Sequence, residues 1–368
     1  MAGLYLHIPF CKRKCNYCDF YSVANLSYLN NFKKRLFHEI NERKNLFSNK
    51  TVNTIYFGGG TPSLMDTEFF ERIFGKIFLE FNIDKSPEIT IEINPENANK
   101  SFLKRLKEIG FNRISIGAQS FMDEVLQILS RRHTAKDSLL AIENAYISGF
   151  ENISIDLIYG VPRLLNQDLE KEILLLKDLP VSHLSAYHLS IEEGTLLSLK
   201  KQKGLFSEVD EKTGYEQYKT LIKTASFCGF KQYEISNFAK NGLISKHNSA
   251  YWNREEYLGF GPGANSFVDN IRYICSPNIK KYLIEFEYTQ DILSEIDKIN
   301  ENIMLQLRTV EGLDTIKFKE EFGEKELKRL EKELEKIKPE FYVYNSDFIR
   351  LTHKGMFVSD YIISRLFV

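Results

Sequence analysis

The sequence predicts an α/β fold: a partial (β/α)6 barrel followed by a mainly helical, winged-helix-like C-terminal domain. Three observations predict it. Short β-branched and aromatic runs alternate with stretches of helical periodicity through the first half of the chain, a pattern that implies parallel strands with helices outside. Glycines and polar residues recur where those runs end, at the rim where such folds place their ligands. Beyond about residue 294 the alternation stops and a charged amphipathic stretch takes over.

Taken in order, the strands are expected over 4–8, 54–57, 89–93, 113–116, 153–157 and 183–189. Helices are expected over 32–46, 68–81, 102–109, 138–148 and 169–176. The first strand runs into "FCKRKCNYC", so Cys11, Cys15 and Cys18 fall on a rim loop. The second ends in "FGGGTP", where Gly58, Gly59 and Gly60 let a ligand approach the backbone, or simply make a turn. No Walker A motif is present, since the Gly-Lys-Ser/Thr ending is missing. "ITIEINPE" puts Glu92 inside an apolar strand, "SIGAQSF" brings Gln119 to a strand end, and "SIDLIYGVP" sets Asp156 among apolar neighbours. One buried carboxylate has a plain explanation in a core arginine. Three polar groups at equivalent strand ends do not, because unpaired burial costs roughly 1–3 kcal/mol or more for each. They read as a convergent ligand site.

The last segment differs in kind. "EKELKRLEKELEKIK" sets Leu327, Leu330, Leu334 and Ile337 on one helical face. "FYVYNSDFIRLT" reads as a hairpin turning at Asn345, Ser346 and Asp347, with a closing helix over 356–366. Lys and Glu are balanced along the helix, so the basic footprint of nucleic-acid binding is missing and a lid or docking role is expected. A formal charge of −1 over 368 residues, 43% of them hydrophobic, argues against bulk attraction to nucleic acid or anionic membrane.

Five cysteines in a chain this long are no disulfide scaffold. The first ten residues carry neither a basic nor a long apolar stretch, and no window nears the roughly 18 apolar residues of a membrane span. A cytoplasmic setting is expected, where clustered cysteines serve metals or redox chemistry. Three thiolates holding an iron–sulfur cluster would leave one iron open to another ligand. Lys12, Arg13 and Lys14 would offset the thiolate charge, and Phe10, Tyr17, Phe20 and Tyr21 would exclude water. A zinc site completed by His7 or Asp19 is the alternative. Cys228 and Cys275 are expected to be buried and inert.

With these residues in place, the sequence resembles the radical S-adenosylmethionine superfamily, in which C-x3-C-x2-C binds a [4Fe–4S] cluster chelated by S-adenosylmethionine. The resemblance implies that Cys11, Cys15 and Cys18 hold the metal and that Gly59, Gly60, Thr61 and Glu92 surround the methionine moiety. It also implies that Gln119, Arg131 and Asp156 contact this ligand or a second copy of it, with Tyr5 beside the site. Within the superfamily, "LYLHIPFC", "YFGGGTPS", "IEINPE", "SIGAQSF", "DLIYGVP" and "GFGPGANS" resemble the branch of oxygen-independent coproporphyrinogen III dehydrogenase and the HemW haem chaperones. The dehydrogenase group has a further cysteine where Phe20 stands, and a longer lead before the first cysteine. "SAYHLSIEEGT" and "KHNSAYWN" also resemble the chaperones, the latter by their H-N-x-x-Y-W signature at His247, Asn248, Tyr251 and Trp252. Read without that resemblance, a single histidine in a polar loop is usually a surface or hydrogen-bonded residue.

The resemblance therefore implies a haem chaperone that binds cluster, S-adenosylmethionine and haem, the last through His247, Tyr251 and Trp252. Coproporphyrinogen dehydrogenase, or another radical enzyme acting on a tetrapyrrole, is the alternative. Haem-accepting proteins such as respiratory cytochromes are the expected partners; peripheral membrane association and a homodimer stay open. The expected division is a radical-SAM barrel over 1–230, an extension with the haem motif over 231–293, and the winged-helix-like domain over 294–368. Two departures stand out: Asn265 where the family commonly has histidine, and Arg163 where glycine is usual after "GVP".

Overall fold

The computed structural model describes residues 2–368. Six strands, β1 (Ala2–Ile8), β2 (Thr51–Gly59), β3 (Asn82–Ile93), β4 (Arg113–Gln119), β5 (Asn152–Tyr159) and β6 (His183–His188), lie side by side in chain order and run parallel. β1 is buried on both faces except at Tyr5, as expected of a strand covered on both sides. The crossover helices each bury one stripe; in Leu29–Arg43 it is Phe32, Leu36 and Ile40. Their starts are set by local chemistry. Asp66 accepts from the Phe69 amide at 2.7 Å ahead of Thr67–Glu80, and Thr134 and Asp137 form a capping box ahead of Ala135–Ile147.

The sheet then grows at both ends without closing. Beyond β6 come the short strands β7 (Lys231–Gln232) and β8 (Asn237–Ala239), with β8 antiparallel to β6. On the other side β9 (Glu256–Phe260) joins β1 as a seventh parallel strand, with Leu258 opposite Leu4. An antiparallel meander continues through β10 (Asn265–Val268), β11 (Ile271–Cys275) and β12 (Tyr288–Ile292). The sequence reading did not place β9, whose position depends on a buried network rather than on local pattern. Glu39 accepts from the Gly261 amide at 2.9 Å and the Tyr282 hydroxyl at 2.6 Å, and Arg43 donates to Ser266 Oγ at 3.0 Å.

A short helix, Lys246–Trp252, plugs the interior from beneath. Ser245 caps it, and the Glu88 carboxylate accepts the Lys246 and His247 amides at 3.1 and 3.0 Å, placing negative charge at the helix N-terminus. Gly3 makes room: a Cβ there would lie 2.9 Å from Thr54 Oγ1 and 3.2 Å from the His247 ring.

The C-terminal part is the helix-plus-hairpin unit the sequence predicts. β13 (Leu313–Asp314), β14 (Tyr342–Tyr344) and β15 (Phe348–Leu351) form a three-stranded antiparallel sheet in the order β13-β15-β14. Asn345 Oδ1 accepts the Asp347 and Phe348 amides at 2.9 and 3.0 Å, fixing the turn. Leu330, Leu334 and Ile337 are buried and Leu327 is half-buried. The closing segment is two helices, His353–Phe357 and Ser359–Leu366, rather than one.

Candidate functional site

The thiol loop leaves β1 and is pinched at its base, where the Val23 amide donates to the Pro9 carbonyl at 2.6 Å and the Cys11 amide to the Val23 carbonyl at 3.1 Å. Buried Asn16 ties its far side to the Ile128 carbonyl at 2.7 Å. Cys11, Cys15 and Cys18 are free and partly exposed. Lys12, Arg13 and Lys14 point into solvent, so the nearest cationic hydrogen bond comes from elsewhere: Arg131 Nη1 donates to Cys15 Sγ at 3.4 Å. Arg131 Nη2 also donates to Asn94 Oδ1 at 2.8 Å, Asn94 Nδ2 to Thr61 Oγ1 at 3.1 Å, and Thr61 Oγ1 to Cys11 Sγ at 3.5 Å. One chain of hydrogen bonds thus links two of the thiols. Burial pushes the Cys11 and Cys18 thiols up, Cys18 to about 11, so metal binding at neutral pH must displace protons.

The loop borders a cavity of about 410 Å³ at the C-terminal ends of the strands, lined by Cys18, Gly59, Gly60, Thr61, Glu92, Gln119, Arg131 and Asp156. The glycines are needed for space. Gly59 has φ 110° and a Cβ there would lie 2.6 Å from the His7 ring, while one at Gly60 would meet the Phe10 carbonyl at 2.8 Å. Glu92 accepts from the Tyr56 hydroxyl at 2.9 Å and the Gly59 amide at 3.1 Å. Burial, with the negative charge of Asp156 adding to it, pushes Glu92 up to about 7. Asp156 is raised by burial too, and accepts from Ser115 Oγ at 3.0 Å. Gln119 sits at φ 65°, where the pairing of β4 with β5 skips a residue. A non-glycine residue in that conformation is strained, as is common in ligand sites.

The sequence reading missed several residues of this cavity. Asn94, in the "INPE" that follows Glu92, bridges Thr61 and Arg131. Arg113 is 2% exposed on the cavity lining, its Nε without a partner and its charge facing Glu92 and Asp156. The signal was available, since Arg113 opens an apolar strand just as Glu92 and Asp156 interrupt theirs.

Tyr5, His247, Tyr251 and Trp252 do not line this cavity. His247 is 2% exposed, with Nδ1 against Thr54 Oγ1 and Nε2 against the Tyr251 hydroxyl, both at 2.8 Å. Burial holds it neutral, with its pKa lowered to about 3. It is a hydrogen-bonded residue on the buried side of a short helix, not of a polar loop. Tyr56 stacks on His247 at 5.0 Å with Tyr5 alongside, and edge-to-face contacts continue from His247 to Tyr251 at 5.0 Å and from Tyr251 to Tyr257 at 4.6 Å. Behind this aromatic wall Tyr5 and Tyr251 line a second cavity, together with Asn265. Trp252 lines neither; its carbonyl accepts from Gln306 Nε2 at 2.9 Å and so fastens the helix to Glu295–Gln306. Phe20 is 65% exposed and lies at the edge of both cavities. Arg163 adopts φ 72°, the left-handed conformation that glycine takes more readily.

The donor set fits a cluster better than a single ion. Among the described residues no three His, Cys, Asp or Glu side chains converge as one zinc would require, and both nitrogens of His7 are engaged, by Tyr5 and the Tyr21 carbonyl. A cubane instead takes each thiolate on a different iron. Beside it, a cavity walled by Glu92 and Asp156 together with Arg113 and Arg131 suits a ligand bearing charges of both signs.

Residues 5–176 match the Radical SAM superfamily model, and residues 293–358 match the HemN C-terminal domain. The chain is 33% identical over 370 residues to heme chaperone HemW of Bacillus subtilis, covering 96% of each. It is 32% identical to the protein of that name from Lactococcus lactis, covering 86% of this chain and 84% of that one. Bovine radical S-adenosyl methionine domain-containing protein 1, mitochondrial, is 35% identical over 72% of this chain and 60% of its own. Among solved structures, coproporphyrinogen III oxidase (HemN) from Escherichia coli superposes with a TM-score of 0.85 at 20% identity, over 100% of this chain and 90% of that one. That is a likeness of fold.

Proposed function

The chain belongs to the HemW family within the radical S-adenosylmethionine superfamily, and from that premise we propose that it is a haem chaperone. In this reading Cys11, Cys15 and Cys18 hold a [4Fe–4S] cluster, the cavity beside them holds S-adenosylmethionine, and haem is carried for transfer to acceptor proteins such as respiratory cytochromes. The observation that carries the reading is the hydrogen-bonded path from Cys11 through Thr61, Asn94 and Arg131 to Cys15, at the mouth of a cavity containing Glu92 and Asp156. It joins thiols and ligand pocket into one site.

When bound, a reduced cluster supplies an electron for S-adenosylmethionine chemistry. The chain's own residues do the rest. Arg131 offsets thiolate charge at Cys15, and Thr61 orients the Cys11 sulfur. Glu92 offers a carboxylate to an ammonium group, held in place by Tyr56 and Gly59. Gln119 and Asp156 contact the remainder of the ligand. Residues 1–230 would form the cofactor-binding barrel, 231–293 the extension with the haem motif, and 294–368 a docking or lid module. The setting would be cytoplasmic; among the described residues no helix is long and apolar enough to cross a membrane.

Haem titration of the anaerobically reconstituted protein tests the proposal, run beside an assay for coproporphyrinogen conversion with S-adenosylmethionine and reductant. A saturable Soret band without protoporphyrinogen formation is expected. Steady conversion of coproporphyrinogen would overturn the chaperone assignment even if haem also binds.

A further inference from the structure

The second cavity, also about 410 Å³, is large enough for much of a cofactor-sized ligand. It lies on the inner face of the sheet beyond the aromatic wall, under the helix Glu295–Gln306. Tyr251, Tyr257 and Phe267 line one side, and Met304 and Leu305 belong to the helix. The cavity lining carries two arginines, Arg254 and Arg272, with two carboxylates, Glu255 and Glu301. Glu301 accepts from both arginines.

Arg254 is the informative residue. Its Nε donates to Glu301 Oε2 at 3.2 Å and its Nη1 to Glu321 Oε1 at 3.3 Å, while Nη2 is buried and has no acceptor. A buried guanidinium N–H without an acceptor is unfavourable until one arrives. The residue also holds φ 53°, a left-handed conformation that costs energy for any side chain but glycine. Strain and an unmet donor coincide on one residue of an aromatic-walled cavity.

We propose that this second cavity receives a flat, carboxylate-bearing macrocycle, with one carboxylate on Arg254 and the ring against Tyr251 and Tyr257. The proposal rests on the haem-chaperone reading above and identifies the macrocycle as haem. His247 then acts on the cavity through Tyr251 and is a positioning residue, since both its ring nitrogens are already bonded. Aromatic faces and a cationic anchor are the groups that hold a porphyrin and its propionates.

The experiment titrates the full reconstituted chain with haem and with haem dimethyl ester, which lacks the carboxylates. Wild type, Arg254→Gln and Met304→Trp are compared by Soret absorbance, with iron content and S-adenosylmethionine affinity measured on the same samples. Wild type should prefer haem over its ester by about 10- to 100-fold, the worth of a charge-assisted hydrogen bond. Arg254→Gln should lose that preference. Met304→Trp, which fills the cavity, should weaken haem at least about tenfold, with S-adenosylmethionine affinity unchanged. The ester comparison needs no variant, so a misfolded mutant would not rescue or sink the idea. Wild type binding haem and ester alike, or variants binding haem like wild type, would overturn the placement while leaving the chaperone reading intact. Wild type binding no haem would overturn both.

Discussion

Replacing Glu92 with Gln should weaken S-adenosylmethionine binding while stabilising the cofactor-free protein. The carboxylate is held by Tyr56 and Gly59, and burial raises it to about 7. A ligand ammonium on the ionised group is worth about 1.5–3 kcal/mol, so the variant should bind about 10- to 150-fold more weakly at pH 8. Below pH 7 the wild-type carboxyl must first lose a proton. At pH 5.5 this costs about 2 kcal/mol, an affinity loss of about 30-fold that the variant should not share. Stability runs the other way. The folded pKa lies above the unfolded one, so from about 4.5 to about 7 the unfolded chain gives up its proton first and stability falls as pH rises. Removing the carboxylate should recover up to about 3 kcal/mol at pH 8, less whatever the amide loses against Gly59. Calorimetry in two buffers of different ionisation enthalpy counts the proton released, and thermal unfolding follows stability. Wild-type affinity that is flat from pH 5.5 to 8, or a variant that binds like wild type, would refute the reasoning.

Other perturbations should separate cluster, pocket and scaffold. Cys11→Ser, Cys15→Ser or Cys18→Ser should each abolish cluster iron, whereas Cys228→Ala and Cys275→Ala should keep it; both latter residues are buried and lie outside the C-x3-C-x2-C motif. Thr61→Val should impair both functions, since its hydroxyl donates to Cys11 and accepts from Asn94. Faster iron loss to a chelator and S-adenosylmethionine affinity lower by about 2- to 12-fold are expected. Leu330→Ala, at a fully buried position in the C-terminal helix, should cost about 2–5 kcal/mol in thermal or urea unfolding with cluster content unchanged.

Much of the barrel was legible because its strands are short apolar runs followed directly by their helices, so Glu92, Gln119 and Asp156 stood out as interruptions at strand ends. The part that pairs out of chain order was not. β9 has five residues including a glycine, and it finds β1 through a partnership some 250 residues away, buttressed by Glu39 and Arg43 from an outer helix. Nothing local encodes that register. The side-chain path through Asn94 likewise needs four loops brought together. His247 shows the opposite limit: its motif was visible, but burial and two hydrogen bonds are tertiary facts that a polar-looking "SKHNSAYWN" conceals.

The central claim is that three thiols carry a cluster in a protein that also takes haem. Metal, sulfide and haem should therefore be analysed in one anaerobically reconstituted sample. The account predicts about four iron and four sulfide per chain, with a haem-dependent Soret band appearing on titration. Stoichiometric zinc without sulfide would contradict it.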